Sequence, residues 1–345
     1  MVHTSEKGLG YTLPFAMMLF TTFVLYAAIG YFLCSHSASL ELVPHLKTID
    51  SQEQLNAKHV PNSVDVGLFI NNFSKFDALH GSFVFDGTLW FKADSTKVSV
   101  DQLAQFKFER GTILEKSQPY VTKSGNEIFV RYDIKVEFFS QLNYKLFPLD
   151  EHRISFVVSN KSLADSSIAF TCSDKNFVIK EAYAESDPEW LLAHTKISAG
   201  YLQDTYDASF APRQSLYPAV SFVLDYARIG ARNMAVVFLP LLLLFFITLF
   251  VFALDPSRYE AMIISIATGA LSASIAYRLV IENVSPRVSY FTLADYIYLI
   301  FLLANFCMFG LSFLLKHFSQ VQRKIVIIVL HSAVTISCLY VMLMW

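Results

Sequence analysis

Long stretches without a charged residue are the feature that most limits what this chain can fold into. Five of them run over residues 13–33, 234–254, 261–277, 296–315 and 325–345. A helix that crosses a bilayer needs about 20 apolar residues, because the hydrocarbon core holds no water to satisfy backbone groups. The last four stretches are joined by short polar connections. They predict a bundle of four membrane-spanning helices, over about 232–254, 258–281, 290–315 and 322–345.

Charged residues are concentrated between the first uncharged stretch and the other four. Residues 40–228 carry 19 Lys and Arg and 24 Asp and Glu, which is 43 of the 56 charged residues in the chain. The net charge is −2 for the whole chain and 19 − 24 = −5 for this block. Because a nucleic-acid partner requires a basic surface, we expect none. The predicted domains are an N-terminal segment (1–39), a polar domain (40–228) and a helical domain (229–345).

The first uncharged stretch allows two interpretations. Its 21 residues exceed the usual signal-peptide core of about 7–15 residues, which favours a retained membrane anchor. The small residues Ser35, Ser37 and Ala38 that follow it permit cleavage, so a signal peptide stays open.

Basic residues set the expected orientation in the membrane. Lys316, Arg323 and Lys324 lie between the last two spans, and the positive-inside bias places that connection in the cytoplasm. Counting back through the spans places residues 40–228 and the C-terminus outside. Arg228 and Arg232 run against the bias. The expected location is the cell (inner or plasma) membrane, where lipid surrounds a multi-pass protein.

Alternating apolar residues predict antiparallel strands in the polar domain. In residues 127–138 the side chains of one face are Ile128, Val130, Tyr132, Ile134, Val136 and Phe138. This period of two is typical of a half-buried strand, and similar alternation occurs over 83–91 and 154–158. Many short strands predict a β-sandwich, because one sheet face must be covered by another. The expected fold is mixed: an antiparallel β-sandwich outside the membrane, then a four-helix transmembrane bundle, with an extra N-terminal hydrophobic helix.

Cysteine and histidine positions indicate no enzymatic chemistry. Only Cys172 of the four cysteines lies in the polar domain, so that domain closes no internal disulfide. The sequence has no CxxC or HExxH motif, no nucleophile elbow and no phosphate-binding glycine loop. We therefore expect neither an enzyme nor a metal or cofactor.

Short motifs occur in a fixed order between residues 60 and 345. They are Val64 to Phe69, Asp86-Gly87 with Leu89-Trp90, Phe147-Pro148-Leu149-Asp150, Tyr259-Glu260-Ala261, and Pro286-Arg287 with Tyr290, Thr292 and Asp295. Together they resemble pentameric ligand-gated ion channels, the Cys-loop receptor superfamily. Ser140 and Ile154 stand where eukaryotic members carry the loop disulfide, so the resemblance is to the prokaryotic type without it.

The resemblance implies a homopentamer in which the helix over 259–280 lines the pore. At about 100° per residue, one face carries Glu260, Ile264, Ala267, Leu271, Ser274 or Ile275, and Arg278. Of these we take Glu260, Ile264, Leu271, Ile275 and Arg278 as pore-lining, together with the neighbouring Thr268. A ring of Glu260 carboxylates attracts cations, and rings of Leu271 and Ile275 close a pore by dewetting. We expect a cation channel.

Two features leave undecided which face of this helix lines the pore. A ring of Arg278 repels cations, unless this side chain turns between helices. Glu260 has a possible partner in Arg258. The hydroxyl residues Ser265, Thr268 and Ser272 form a separate stripe about 110° away, which is the alternative wet face.

The resemblance implies that seven residues transmit gating from the polar domain to the pore. They are Phe147, Pro148, Asp150, Arg228, Arg232, Pro286 and Arg287. We expect Asp150 to meet Arg228 or Arg232; the alternative is that all three are simply solvated. Aromatic faces for a cationic ligand are available from Tyr201, Tyr206, Phe210 and Tyr217, although aromatic residues on strands also form cores. The activating signal stays open: it is a small ligand, a proton, or direct mechanical or lipid control.

The sequence also allows a protein of another class. Helices rich in small and hydroxyl residues mediate tight packing without a pore. A non-conducting membrane receptor, sensor or assembly protein with the same fold is therefore the alternative function.

Overall fold

The computed structural model of the protein describes residues 62–78, 80–164, 167–180, 190–206, 213–228 and 230–344, with residues 20, 22, 23, 41, 43 and 45–47. The chain divides into two compact units. The sheet unit comprises Ser39–Asn143 and Glu151–Arg228, and the helical unit comprises Met1–Ala38, Tyr144–Asp150 and Ile229–Trp345. The segment Tyr144–Asp150 therefore groups with the helices, although it lies between two strands in the sequence.

Among its described residues, the sheet unit contains eleven strands, one short α-helix and two 3-10 turns. The strands are β1 (Asn62–Asp77), β2 (Ser82–Asp94), β3 (Lys107–Glu109), β4 (Gly111–Lys116), β5 (Tyr120–Ser124), β6 (Glu127–Phe139), β7 (Glu151–Ser159), β8 (Ile168–Thr171), β9 (Phe177–Ile179), β10 (Trp190–Tyr206) and β11 (Arg213–Arg228), and the helix is α1 (Val100–Leu103).

The strands form two sheets that share one core. The larger sheet has the order β4-β6-β2-β1-β8, with β5 also paired to β6 and β9 to β1, and the smaller has the order β10-β11-β7-β3. Strands β8 and β9 pair with β1 in parallel, and the other pairs are antiparallel. Phe85 and Tyr132 of the larger sheet and Phe156 and Phe222 of the smaller sheet belong to the same buried cluster. The arrangement is β-sandwich-like, as the sequence predicts.

Strand β6 shows how the sequence produces this core. Its six alternating apolar residues, from Ile128 to Phe138, are buried, whereas Glu127, Arg131 and Asp133 are exposed. The period-two prediction for residues 127–138 is confirmed, because successive strand residues point to opposite sheet faces.

The helical unit contains four long helices among its described residues: α2 (Gly230–Val251), α3 (Pro256–Val284), α4 (Leu293–Ser312) and α5 (Gln320–Met344). Each is long and apolar enough to cross a membrane. The protein thus has a β-sandwich-like unit followed by four candidate membrane-spanning helices, which indicates a multi-pass membrane protein. The predicted helix over 13–33 lies outside the described residues except for Phe20, Thr22 and Phe23.

Candidate functional site

The exposed face of α3 is small and hydroxylated. The residues of α3 that pack inside the unit include Ile263, Ala267, Ala270, Ser274 and Ile281. Those on the opposite side, roughly 180° away at 100° per residue, are Ser265, Thr268, Ser272 and Ala276, and all four are exposed.

The other three helices expose large apolar side chains. Examples are Leu239, Leu243 and Phe250 of α2, Leu303 and Phe306 of α4, and Val329 and Ile336 of α5. Helix α3 exposes some as well, among them Met262, Ile275 and Leu279, but these lie on either side of residues 265–272 in the sequence. The chain buries only 22% of the most apolar window of α3, against 33% in α2, 50% in α4 and 33% in α5. Helix α3 is therefore the least covered by its own chain. It also has the lowest mean hydropathy of the four helices. Contact with another helix or with water suits such a face better than lipid does.

The sequence-predicted pore residues lie on the flank between these two faces of α3. Ile264 and Leu271 are half-buried and Ile275 is exposed. Thr268 belongs to the hydroxyl face, and its Oγ1 donates to the carbonyl oxygen of Ile264 at 2.8 Å. The alternative stripe of Ser265, Thr268 and Ser272 is thus exposed, on the side of α3 opposite to the residues that pack against the other described helices.

Glu260 lies at the N-terminal end of α3, directly after a break in the helix. Tyr259 has non-helical dihedral angles (φ −126°, ψ 25°). The Glu260 carboxylate is 3.4 Å from Lys316 Nζ, and both side chains are more than half exposed. An ion pair this exposed contributes little free energy, so Lys316 does not fix the carboxylate in this position. Arg258, the partner considered from the sequence, stacks on Tyr259 at 5.4 Å from the ring centroid.

Arg278 joins α3 to the start of α4. Its Nε donates to Glu282 Oε1 at 3.0 Å, its Nη1 donates to Asp295 Oδ1, and its guanidinium lies 5.6 Å from the ring centroid of Tyr298. The side chain is 34% exposed. This is the geometry of an arginine turned between helices, the alternative that the sequence left open.

The segment Tyr144–Asp150 caps the N-terminus of α4. The first N–H groups of a helix have no acceptor within the helix. Here the N–H of Leu293 donates to Lys145 O at 2.8 Å, and the N–H of Ala294 donates to Phe147 O at 3.1 Å. We call Tyr144–Asp150 the capping loop. It supplies two acceptors that a buried helix start needs.

A capping box completes this helix start. The N–H of Asp295 donates to Thr292 Oγ1 at 3.3 Å, and the N–H of Thr292 donates to Asp295 Oδ2 at 2.8 Å. The capping loop is further held by Tyr290, whose hydroxyl oxygen accepts from the N–H of Tyr144 at 2.9 Å. The sequence signal for the box is Thr-x-x-Asp before an apolar run. The two contacts of the loop with Leu293 and Ala294 are made by backbone carbonyls, which leave no side-chain signal in the sequence.

Several predicted coupling residues lie in or beside this arrangement. Phe147, Pro148 and Asp150 of the capping loop are buried, and the Phe147–Pro148 peptide bond is cis. Pro286 is buried and Arg287 is exposed. Both line an open cavity of about 810 Å³ between the ends of α3 and α4, together with Arg278, Glu282 and Asp295.

Arg228 and Arg232 are the two basic residues predicted to meet Asp150, and the structure describes both. Arg232 is exposed in the first turn of α2. Arg228, at the end of β11, stacks on Trp190 at 4.3 Å from the ring centroid. The contact of Asp150 with Arg228 or Arg232 stays a prediction.

The predicted aromatic ligand residues are described in part. Tyr201 is 7% exposed and donates to Ile168 O at 3.0 Å. Tyr217 is 2% exposed and donates to Asp204 Oδ1 at 3.0 Å, while Lys161 Nζ lies 4.9 Å from its ring centroid. Burial, together with the bond to Asp204, raises the pKa of Tyr217 to about 12, so it stays protonated at neutral pH. The side chain of Tyr206, and Phe210, lie outside the described residues.

Comparison with known proteins adds no relative to this geometry. A scan against models of protein families finds no match, and no curated protein sequence matches the chain. The function is therefore inferred from the residues and their contacts.

Proposed function

We propose that the protein is a homopentameric ligand-gated ion channel whose pore is lined by α3. The observation that carries this proposal is the exposed hydroxyl face of α3 in a unit whose other helices expose Leu, Ile and Phe. Copies of the chain arranged around an axis remove this face from lipid and place Ser265, Thr268 and Ser272 along a wet path. The number of five subunits comes from the motifs that resemble pentameric ligand-gated channels.

The capping loop supports a route from the sheet unit to the pore. The loop is joined covalently to β6 on one side and to β7 on the other, and its carbonyl oxygens hold the first turn of α4. Asp295, in that same turn, binds Arg278 of α3. A displacement of the loop therefore acts on α4 and, through this ion pair, on α3. A signal received by the sheet unit has a physical path to the pore helix.

Cations are the proposed permeant ions because of Glu260. Its carboxylate is 57% exposed at the N-terminal end of α3, and five copies form a ring of negative charge at one mouth. The ion pair with Lys316 is exposed and therefore weak, so Lys316 does not hold the carboxylate in place.

Cysteine accessibility during bilayer recording tests the pore face. In a background with Cys34, Cys172, Cys307 and Cys338 replaced by Ala, Ser272→Cys should make the current sensitive to a cationic methanethiosulfonate reagent. Val329→Cys, exposed on α5, is the control and should leave the current unchanged. Sensitivity at Ile275→Cys but not at Ser272→Cys would instead assign the pore to the flank of α3. Absence of current from purified protein under pH, amine and voltage screens would favour the non-conducting receptor.

Ion selectivity has a separate test. Glu260→Gln should shift the reversal potential in a sodium chloride gradient toward that of a non-selective pore, because a fixed negative ring is lost. Glu282→Gln removes a carboxylate from the opposite end of α3 and is the matched control. An equal shift in both variants would contradict the assignment of selectivity to Glu260.

A further inference from the structure

A short segment before β1 is attached to the smaller sheet. We call it the N-terminal strap; its described residues are Glu41, Val43 and His45–Lys47. The N–H of Lys47 donates to Tyr201 O at 2.9 Å, and the N–H of Tyr201 donates back to Lys47 O at 3.0 Å. Gly200 permits this approach, since a Cβ atom there would lie 2.8 Å from Lys47 O. Leu46 is buried in a cluster with Val157 and Ala219. The strap is therefore an integral part of the sheet unit.

Glu41 of the strap collects three hydrogen bonds on one carboxylate. Oε1 accepts from the N–H of Asn143 at 2.8 Å and lies 2.8 Å from His152 Nδ1, and Oε2 accepts from the N–H of Arg153 at 2.5 Å. The side chains of Glu41 and His152 are 10% and 2% exposed. An ionised carboxylate only accepts, so a hydrogen bond between these two side chains requires a proton on His152 Nδ1. Bonds from N–H groups to a carboxylate are stronger than those to a neutral acceptor.

The charged side chain of Arg153, next to Glu41, is already paired with another carboxylate. The guanidinium of Arg153 donates to both carboxylate oxygens of Asp225, at 2.6 and 2.8 Å, and this pairing raises the pKa of Arg153. Arg153 therefore faces Glu41 mainly through its backbone N–H. The ring of His152 packs on Trp190, with the ring centroids 5.1 Å apart. The Glu41 carboxylate is thus the acceptor that joins Asn143 to the start of β7.

The donors to Glu41 flank the capping loop. Asn143 immediately precedes Tyr144–Asp150, and His152 and Arg153 follow it closely. One carboxylate thus binds both chain ends from which the loop emerges. Fixing these ends restricts the loop that presents Lys145 O and Phe147 O to α4. We call Asn143, His152 and Arg153 the neck of the loop. Without Glu41, the backbone N–H groups of Asn143 and Arg153 lose their bonds to its carboxylate.

We propose that Glu41 is a positioning residue that clamps the neck of the capping loop and thereby holds the cap on α4. The clamp follows from the contacts of Glu41 alone, whereas its effect on opening depends on the proposed channel function. A glutamate suits the role because two oxygens serve three donors. Cleavage after Ala38 would leave Glu41 in the mature chain, so the clamp is the same with a signal peptide or an anchor.

Hydrogen exchange of the full-length protein in lipid nanodiscs tests the clamp. In Glu41→Ala, amides between Asn143 and Arg153, and those of Leu293 and Ala294, should exchange about tenfold faster than in the wild type. The ends of the capping loop lose their charge-assisted bonds to Glu41, and the cap that the loop forms on α4 opens more often as a result. Glu41→Gln keeps the size and one acceptor oxygen, and should show a smaller acceleration at the same amides. The matched control is Glu127→Gln, whose carboxylate is 62% exposed with Lys92 at 3.1 Å. It should exchange like the wild type.

Two results would overturn the clamp. One is unchanged exchange at these amides in Glu41→Ala. The other is a uniform acceleration over all strands, which would mean that Glu41 serves general stability only. If Glu41→Ala does not fold, the amide-by-amide comparison of Glu41→Gln with Glu127→Gln decides in the same way.

Current recordings of the same variants separate the clamp from the channel proposal. If the wild type conducts, Glu41→Gln should shift the activation curve and Glu127→Gln should not. A local acceleration of exchange with an unshifted activation curve would reject the role in opening. A wild type without current would remove the channel proposal, while the exchange data would still decide the clamp.

Discussion

The sheet unit and the helical unit differ in the side chains that they expose. The sheet unit buries Phe85 and Phe156 and exposes charged residues such as Arg131, whereas the helical unit exposes Leu243 and Phe306 of α2 and α4. Water makes burial of apolar area the driving force for the first. Between membrane helices that force is missing, because lipid tails are as apolar as leucine, and close packing and interhelical hydrogen bonds hold the second together. The two units are therefore stabilised by different terms. The first is the hydrophobic effect in the sheet unit, and the second is close packing with interhelical hydrogen bonds in the helical unit.

A polar network in the helical unit illustrates the second term. Thr248 of α2 donates to Asn305 Oδ1 at 2.6 Å, and Asn305 Nδ2 donates to Ser274 Oγ of α3 at 2.8 Å. All three side chains are at most 1% exposed. One asparagine of α4 thus links three helices.

The largest effect should come from a core phenylalanine of the sheet unit. The ring of Phe156 lies 4.9 Å from that of Phe85 and 4.6 Å from that of Phe138, centroid to centroid. Phe156→Ala should lower the free energy of unfolding by about 3–5 kcal/mol, the range for a phenylalanine cavity. Denaturant unfolding followed by the fluorescence of Trp90 and Trp190, both in the sheet unit, measures this.

The same substitution on the outside of the helical unit is the control. Phe306 of α4 is 61% exposed, and Phe306→Ala should cost less than about 1 kcal/mol, because no packed cavity is created. An equal loss in the two variants would mean that the contrast between the units is wrong.

A smaller effect is expected at the ion pair between α3 and α4. Arg278→Gln leaves the carboxylate of Asp295, 9% exposed, with its Thr292 donors alone. We expect a loss of about 1–3 kcal/mol, below the value for a fully buried pair, since Arg278 is 34% exposed. Thermal melting in detergent followed by far-ultraviolet circular dichroism measures it. Adding Asp295→Asn should recover part of the loss; a strictly additive double variant would argue against the pair.

The two units also show how far the sequence predicts the structure. Periodicity identifies β6 and the uncharged stretches identify the helices, because both patterns record the solvent on each face. The resemblance pointed to Phe147–Asp150, but not to its contact with α4, which is made by the carbonyl oxygens of Lys145 and Phe147. Glu41 lies 102 residues before Asn143, and no local pattern joins them. Non-local polar contacts depend on tertiary geometry that a single sequence does not record.

The network around Asn305 should contribute about 1 kcal/mol, as interhelical hydrogen bonds in membranes do. In Asn305→Leu the neighbours keep other acceptors. Thr248 Oγ1 is 2.8 Å from Leu244 O, and Ser274 Oγ donates to Ala270 O at 2.8 Å. Melting of the helical unit in detergent should therefore change little. A loss as large as that of Phe156→Ala would show that buried polarity, rather than packing, holds this bundle together.

The smallest effect should come from an ion pair on the water-facing side of the sheet unit. Lys92 Nζ is 3.1 Å from Glu127 Oε1, and the side chains are 48% and 62% exposed. Lys92→Ala should cost at most about 0.5 kcal/mol, and this difference should vanish near 1 M salt, where the Debye length is about 3 Å. Denaturant unfolding at low and high salt, beside Arg278→Gln under the same conditions, measures both. The partly buried pair should keep most of its effect in salt, because screening requires that ions approach the charges. If both effects disappear together, the Arg278–Asp295 pair is as solvated as a surface pair, and its proposed role in linking α4 to α3 loses its support.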